Sequence, residues 1–339
     1  MRLEQKPEGV CENERTEQPF SLSSDPRFLY HSVAHDRAAQ AMLDAIRRRD
    51  GVVVLTGEPG VGKTILCRAV MEQLDRRTLT SLVADPFDSA EDLLKTVLVD
   101  FGVISRDDVA HGRLARASLA ELSAVVRDFL FSLAPLQAFA VVIIDEAQRL
   151  SVELLDQIRA VGELGRNERL LQLMLVGHPA LSSTLAKPEL RQLLRRVSAR
   201  ASLGPLASDE IAGYVSHRLG LAGMGPRVEF DDPSIARLYD LSGGVPRTIN
   251  LLCDRALAMG QAGYASTIDG RMVDSAAAEL DLAPLASRGS LVRVAAIVAV
   301  LALLGVLGAA AGAFVFHTDL FALISRWQST PASPAGSRP

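Results

Sequence analysis

Short apolar runs alternate with longer amphipathic stretches over residues 25–205. The apolar runs have the length of buried strands and lie at 52–56, 79–84, 139–144 and 171–176. The amphipathic stretches repeat their apolar residues every three or four positions, which predicts helices at 62–75, 89–101, 119–133 and 151–164. Strands that alternate with helices are typical of a parallel sheet covered on both faces. The pattern therefore predicts an α/β domain over residues 25–205.

From Leu206 onward the strand pattern stops and helical periodicity continues alone. Ser208 and Asp232 have the side chains that favour helix starts, and Gly243-Gly244 separates two helical stretches. Because these helices are short and carry apolar faces, we expect them to pack together. The pattern predicts a smaller helical domain over residues 206–283.

The two ends of the chain differ from its middle. Residues 1–24 are polar and predicted to be disordered, because they cannot bury enough apolar surface to offset the entropy of ordering. Near the other end, residues 294–316 carry no charge, and a helix of roughly 20 apolar residues can cross a bilayer. A buried core helix is the alternative, but such a helix normally keeps a polar face. We expect one transmembrane helix at 294–316, a linker at 284–293 before it and a short tail at 317–339 after it.

Within the predicted membrane helix, Gly308 and Gly312 form a GxxxG pattern. This spacing lets two helices approach closely in a membrane, which predicts self-association. Small residues are also common in any alanine-rich span, so the pattern by itself leaves both interpretations open.

Composition narrows the classes of partner. The formal net charge of the 339-residue chain is −4, whereas free nucleic-acid-binding domains are usually basic. Cys11, Cys67 and Cys253 are odd in number and far apart, so they fit neither a disulfide framework nor a zinc site. Nucleic acid is therefore not expected as the main partner, and the thiols are expected to be reduced, as in a cytosolic compartment.

The clearest chemical motif is GEPGVGKT, which follows the first predicted strand and precedes a predicted helix. Glycines allow backbone N–H groups to surround an anion, and the helix N-terminus adds partial positive charge. The Lys63 side chain can reach the β- and γ-phosphates of a bound nucleotide, and the Thr64 hydroxyl can bind Mg²⁺. A chance glycine turn would not explain the strand and the helix on either side. The predicted ATP-binding residues are Gly57, Glu58, Pro59, Gly60, Val61, Gly62, Lys63, Thr64 and Ile65.

Two acidic residues, Asp145 and Glu146, end the third predicted strand. At the carboxyl end of a parallel strand Asp145 can help to hold Mg²⁺, and Glu146 can polarise the attacking water as a general base. The alternative is that the pair caps the next helix, although Ser151 is also available for that task. We expect Asp145 and Glu146 to be catalytic.

Three further positions carry candidate chemistry. His178 follows the fourth strand, where it can contact the γ-phosphate or the water, or can simply be a satisfied turn histidine. The stretch LRQLLRRVSARASL is read as a helix that places Arg196 and Arg200 one turn apart. An arginine from a neighbouring subunit can stabilise the phosphoryl-transfer transition state, and Arg196 is the first candidate, although a solvated arginine face gives the same pattern. Arg247 lies in the first turn of a predicted lid helix, where the helix dipole disfavours a cation. Its presence there suggests an anionic partner, such as the γ-phosphate, although an exposed arginine gives the same pattern.

These motifs together resemble the ExeA/GspA-type AAA-family (AAA+) ATPases of general (type II) secretion and related bacterial envelope systems. The matching stretches are DGVVVLTGEPGVGKT, VVIIDEAQRLS, LMLVGHPAL, LRQLLRRVSARASLGPL and SGGVPRTINLLCDRAL. The resemblance implies a P-loop NTPase fold with a C-terminal helical lid and ATPase activity with ATP and Mg²⁺. Family members often have glutamine at the position of His178. Larger members continue into a periplasmic peptidoglycan-binding domain, for which the tail at 317–339 is too short.

We therefore expect a membrane-anchored ATPase that forms a homo-oligomer and energises or regulates an envelope machinery for secretion, pili or exopolysaccharide. Its partners would be inner-membrane secretion or envelope-assembly proteins. ATP is cytoplasmic, so the ATPase domain should face the cytoplasm of a bacterial inner membrane and the C-terminus the periplasm. Two alternatives stay open. One is a DNA-associated AAA+ ATPase that supports transposition or origin assembly, and the other is a scaffold that ATP switches without turnover.

Overall fold

Five parallel strands form the central sheet, in the order β2-β3-β4-β1-β5. The computed structural model describes residues 18–49, 51–84, 87–112, 114–164, 169–225 and 227–282. The strands of the sheet are β1 (Val52–Gly57), β2 (Thr78–Val83), β3 (Phe139–Ile144), β4 (Leu171–Gly177) and β5 (Val197–Leu203). The predicted α/β class and the first four strands are confirmed, and this sheet with its glycine-rich loop is a P-loop NTPase fold.

The helices of the sheet domain are α1 (Val33–Arg47), α2 (Lys63–Glu72), α3 (Ala90–Asp100), α4 (Arg106–Ala110), α5 (Leu119–Leu133), α6 (Val152–Val161), α7 (Ala180–Leu185) and α8 (Arg191–Leu194). Several begin at a serine whose hydroxyl accepts a backbone N–H of the first turn, as Ser89 does for α3 and Ser151 for α6. These caps explain why the predicted starts of both helices agree with the structure.

Both faces of the inner strands β1, β3 and β4 are buried, which is why these strands read as continuous apolar runs. Along β1, Val53 and Leu55 pack against α1 and α2, whereas Val52 and Val54 pack on the opposite face with α3, α6 and α7. All six residues of β3 are buried. The strand that leads into the acidic pair is thus a fully buried inner strand of the sheet.

The prediction of a helix through Arg196 and Arg200 is wrong, because helix α8 ends at Leu194 and strand β5 begins at Val197. Alternate residues of β5 are more exposed, as expected for an edge strand with one covered face. Arg200 is one of the exposed residues and pairs in register with Val54. The two arginines are therefore not neighbours on a helix face.

Residues 206–282 build a second apolar core from α9 (Ile211–Leu221), α10 (Asp232–Ser242), α11 (Pro246–Ala262) and α12 (Gly270–Glu279). They also contain a two-residue parallel pair, β6 (Glu229–Phe230) with β7 (Thr267–Ile268), so the expectation of helices alone was incomplete. We call residues 206–282 the lid.

Residues 18–24, which composition places in a disordered start, are held against the lid. Phe20 is 2% exposed and packs edge-to-face on Phe230. The guanidinium of Arg218 donates to the carbonyl oxygens of Pro19 at 2.6 Å and Ser21 at 2.5 Å. One large apolar side chain and one buried cation thus order a polar segment, which a composition argument does not detect.

Among the residues that the structure describes, no helix has the length and apolar character needed to cross a membrane. The predicted membrane helix at 294–316, with Gly308 and Gly312, lies outside the described residues. So do the predicted linker at 284–293 and the tail at 317–339.

Candidate functional site

The glycine-rich loop joins the end of β1 to the start of α2. Gly60 and Gly62 have φ values of +82° and +102°, a backbone region that residues with a side chain rarely adopt. The loop thereby turns its backbone toward the N-terminus of α2, where N–H groups and the helix dipole favour an anion. The local fold is the phosphate-binding loop that the motif predicts.

Lys63, the first residue of α2, is 7% exposed. Its Nζ donates to the carbonyl oxygens of Gly57 at 2.9 Å and Glu58 at 3.1 Å. These bonds hold the ammonium group over the loop, where it adds a full positive charge to that of the helix terminus.

Thr64 and Asp145 meet although they are 81 positions apart in the sequence. The Thr64 hydroxyl donates to Oδ2 of Asp145 at 2.5 Å, and Oδ1 of Asp145 accepts the backbone N–H of Glu146 at 2.8 Å. Asp145 is 8% exposed at the end of β3. A hydroxyl and a carboxylate side by side offer the oxygen ligands that Mg²⁺ prefers.

Glu146 follows in the left-handed conformation, with φ of +51°, and begins a short 3-10 helix, Ala147–Arg149. This turn directs the residue to the cavity that Lys63 and Thr64 also line. The alternative that the acidic pair caps α6 is wrong, because Oγ of Ser151 accepts the N–H of Leu154 at 3.1 Å.

His178 lies directly after β4 and beside the phosphate loop. Its Nε2 is 2.9 Å from Oε2 of Glu58, and its Nδ1 accepts the N–H of Ala180 at 3.2 Å. Because Nδ1 accepts, Nε2 carries the proton in the neutral ring and donates to Glu58. Both ring nitrogens of His178 therefore have partners beside the phosphate loop, and its contact with a bound phosphate stays a prediction.

The arginines of the α8–β5 region lie away from this cavity. Arg196 donates to the carbonyl oxygens of Arg159 at 3.2 Å and Gly162 at 2.8 Å, at the end of α6. Its side chain is 15% exposed and also lies 3.7 Å from Oε1 of Glu163. Neither Arg196 nor Arg200 is among the described residues that line the cavity.

The cavity has a volume of about 380 Å³ and lies between the phosphate loop and the lid. Arg247, in the first turn of α11, lines it, and its backbone N–H donates to the carbonyl oxygen of Gly60 at 3.2 Å. The lid therefore contacts the loop directly. The lining also includes aromatic and polar side chains, among them Phe28, Tyr30 and Asn250.

Sequence reasoning missed His35, whose side chain hydrogen-bonds to the backbone of the phosphate loop. Its Nε2–H donates to the carbonyl oxygen of Val61 at 3.1 Å, and its Nδ1 accepts the hydroxyl of Ser32 at 2.7 Å. Burial lowers the pKa of His35, so the ring is neutral near pH 7. The available signal was its place three residues after Ser32, which caps α1.

Sequence reasoning also missed a cluster of polar side chains in the lining of the cavity. The Tyr214 hydroxyl donates to Oδ1 of Asn250 at 2.7 Å, and burial raises the pKa of Tyr214 to about 12. The guanidinium of Arg218 lies 4.4 Å from the ring centre of Phe28, and burial lowers the pKa of Arg218. On the sequence these residues fall within ordinary helical stretches, so only the fold shows that they face one cavity.

Comparison with known proteins gives the same assignment as the motifs. Residues 46–185 match the protein family described as AAA domain. General secretion pathway protein A of Aeromonas hydrophila is 37% identical over 243 residues, which is 71% of this chain and 43% of that protein. The chain has an AAA domain and is related to general secretion pathway protein A. The resemblance to the ExeA/GspA-type ATPases is confirmed, for a chain that spans less than half the length of this relative.

Solved structures share the fold at low sequence identity. The ORC2 protein of Aeropyrum pernix has a TM-score of 0.60 at 16% identity, covering 78% of this chain and 72% of its own. CDC6P from Pyrobaculum aerophilum has a TM-score of 0.58 at 16% identity, covering 77% and 70%. These similarities show a shared fold and nothing about partners.

Proposed function

We propose that this protein is a Mg²⁺-dependent, membrane-anchored AAA+ ATPase that hydrolyses ATP to ADP and phosphate. The observation that carries the proposal is one cavity lined by Lys63, Thr64 and Glu146, with Asp145 bonded to Thr64 at its edge. These groups supply the charge, the metal-binding oxygens and the base that phosphoryl transfer to water requires.

The residues present fit a magnesium ion. Thr64 and Asp145 would hold it, since their oxygens already lie side by side, 2.5 Å apart. When bound, Mg²⁺ neutralises charge on the phosphate oxygens. Lys63 and the N–H groups of the loop bind and orient the triphosphate, and Glu146 takes the proton of the attacking water as a general base.

Residues from other elements complete the site in this proposal. His178, beside the loop, contacts the γ-phosphate or the water, and Arg247 brings a cation from the lid. Arg196 of a neighbouring copy, with Arg200 as the second candidate, supplies the finger in a homo-oligomer. In that assembly the Arg196 guanidinium exchanges its carbonyl partners on α6 for the γ-phosphate of the neighbour.

The ATPase assignment is tested with Glu146→Gln. We expect ATP affinity to be retained and turnover to fall about 10²- to 10⁴-fold, as for the loss of a general base. Glu189→Gln, an exposed carboxylate outside the cavity, is the matched control and should hydrolyse ATP at the wild-type rate. Undiminished turnover in Glu146→Gln would remove Glu146 as the base. Wild-type protein that binds ATP without turnover would instead favour the ATP-switched scaffold.

The phosphate assignment is tested with Lys63→Ala. Loss of the ammonium group beside Gly57 and Glu58 should abolish measurable ATP binding in a fluorescent-nucleotide titration. Normal ATP affinity in this variant would contradict the role of the loop.

We further propose that residues 294–316 anchor the ATPase in a bacterial inner membrane and that it serves a secretion or envelope-assembly machinery. The uncharged segment and the relation to general secretion pathway protein A support this part of the proposal. Deletion of residues 291–339 should move the ATPase from the membrane to the soluble fraction with its turnover intact. Full-length protein in the soluble fraction would refute the anchor.

A further inference from the structure

Gln148 uses the two ends of its side-chain amide to join the loop after β3, which carries Glu146, to the loop after β4, which carries His178. Its Nε2 donates to Oε2 of Glu146 at 2.6 Å. Its Oε1 accepts the backbone N–H of His178 at 2.8 Å. The two partners fix the orientation of the amide, because a carboxylate only accepts and an N–H only donates.

The end of β4 is shaped to admit this side chain. A Cβ atom at Gly177 would lie 2.3 Å from Oε1 of Gln148 and 3.3 Å from its backbone nitrogen. Gly177 does not have a positive φ, so an alanine there meets no backbone strain. The absence of a side chain at position 177 therefore serves the approach of Gln148.

The contacts continue to the phosphate loop, since the ring of His178 bonds to Glu58 at 2.9 Å. A displacement of Glu58 by bound phosphate would act on the His178 loop, and through Gln148 on the carboxylate of Glu146. Because Oε2 of Glu146 receives the amide, its other oxygen is left to accept from a water in the cavity.

We propose that Gln148 is a positioning residue that orients the Glu146 carboxylate and couples it to the loop after β4. The inference rests on the proposed role of Glu146 as the general base. A carboxylate without this restraint rotates among several rotamers, and misplacement of a reacting group by about 1 Å costs on the order of 10²-fold in rate.

The test is a double-mutant cycle with Gln148→Ala and Gly177→Ala in the full-length protein. Gln148→Ala should lower kcat about 10- to 100-fold with ATP affinity unchanged. Gly177→Ala should lower kcat similarly, because its methyl group displaces the amide. In the double variant the amide oxygen that lies 2.3 Å from the new methyl group is absent, so the severe clash is removed and the two effects should not multiply.

Gln148→Met, which keeps the volume and loses the hydrogen bonds, should reproduce the loss if Gln148→Ala does not fold. A kcat within twofold of wild type in Gln148→Met or Gln148→Ala would overturn the inference, as would multiplicative losses in the cycle. Glu146→Gln separates the two proposals. If it abolishes turnover while the Gln148 variants do not, only the positioning role fails, whereas full turnover in Glu146→Gln removes the base itself.

Discussion

Substituting Gly60 by alanine would place a methyl group between the phosphate loop and the lid. The new Cβ would lie 2.8 Å from Cβ of Arg247 and 3.2 Å from Cγ1 of Val245. Neither atom is the far end of a flexible side chain. Since carbon atoms in contact sit at about 3.5 to 4.0 Å, the first turn of α11 must move by roughly 1 Å.

Three contributions set the magnitude. A side chain at a left-handed φ such as the +82° of Gly60 costs roughly 1 to 2 kcal/mol. Displacement of α11 breaks the bond from the Arg247 N–H to the Gly60 carbonyl, with a net loss of about 1 kcal/mol. Together these two contributions lower the free energy of unfolding by about 2 to 3 kcal/mol, and lost packing between lid and loop can only increase the loss.

Gly102→Ala is the matched control. Gly102 has a φ of +71°, and no described atom outside its chain neighbours lies within 4 Å of a Cβ there. The control therefore carries the backbone strain of roughly 1 to 2 kcal/mol without the contact with the lid.

The assay is urea unfolding of both variants, together with titration of a fluorescent ATP analogue. Gly60→Ala should lose about 1 kcal/mol more stability than Gly102→Ala, and it alone should bind ATP more weakly. Equal losses of stability and unchanged ATP affinity in both variants would refute the view that the lid contacts the loop at Gly60.

Three further expectations follow from the buried residues. Burial lowers the pKa of His35 in the folded protein. The contribution of His35 to the free energy of unfolding is therefore complete above its unfolded pKa of about 6.5 and falls below that pH by at most ~1.4 kcal/mol per pH unit. Urea unfolding at pH 7.5 and at pH 5.5 should consequently differ less for His35→Gln than for wild type. Phe20→Ala should lower the unfolding free energy by about 3 to 5 kcal/mol, whereas Leu22→Ala, at a half-exposed position, should change it little; equal effects would contradict the docking of this segment on the lid. Burial raises the pKa of Cys67 and of Cys253, so both thiols should resist alkylation until urea is added, as followed by peptide mass spectrometry, and rapid native-state labelling of either would show that it is accessible.

Features that depend on local chemistry were predictable from the sequence. The inner strands β1, β3 and β4 are buried on both faces, so each must be a nearly continuous apolar run, and this pattern is visible in the sequence alone. The edge strand β2 is only partly buried. The phosphate loop was predictable because glycines at Gly60 and Gly62 are required by the backbone itself. Helix caps such as Ser89 and Ser151 act within one turn and were visible for the same reason.

Features that depend on distant partners were decided only by the tertiary structure. Strand β5 lies at the sheet edge, where one face stays polar, and its arginines gave it the appearance of a helix. Arg196 donates to two carbonyl groups at the end of α6, which lie 37 and 34 positions away in the sequence. Gln148 bonds to the loop after β4, 30 positions away. A polar side chain can satisfy its hydrogen bonds in many ways, and only the packing of the chain selects which partner it meets.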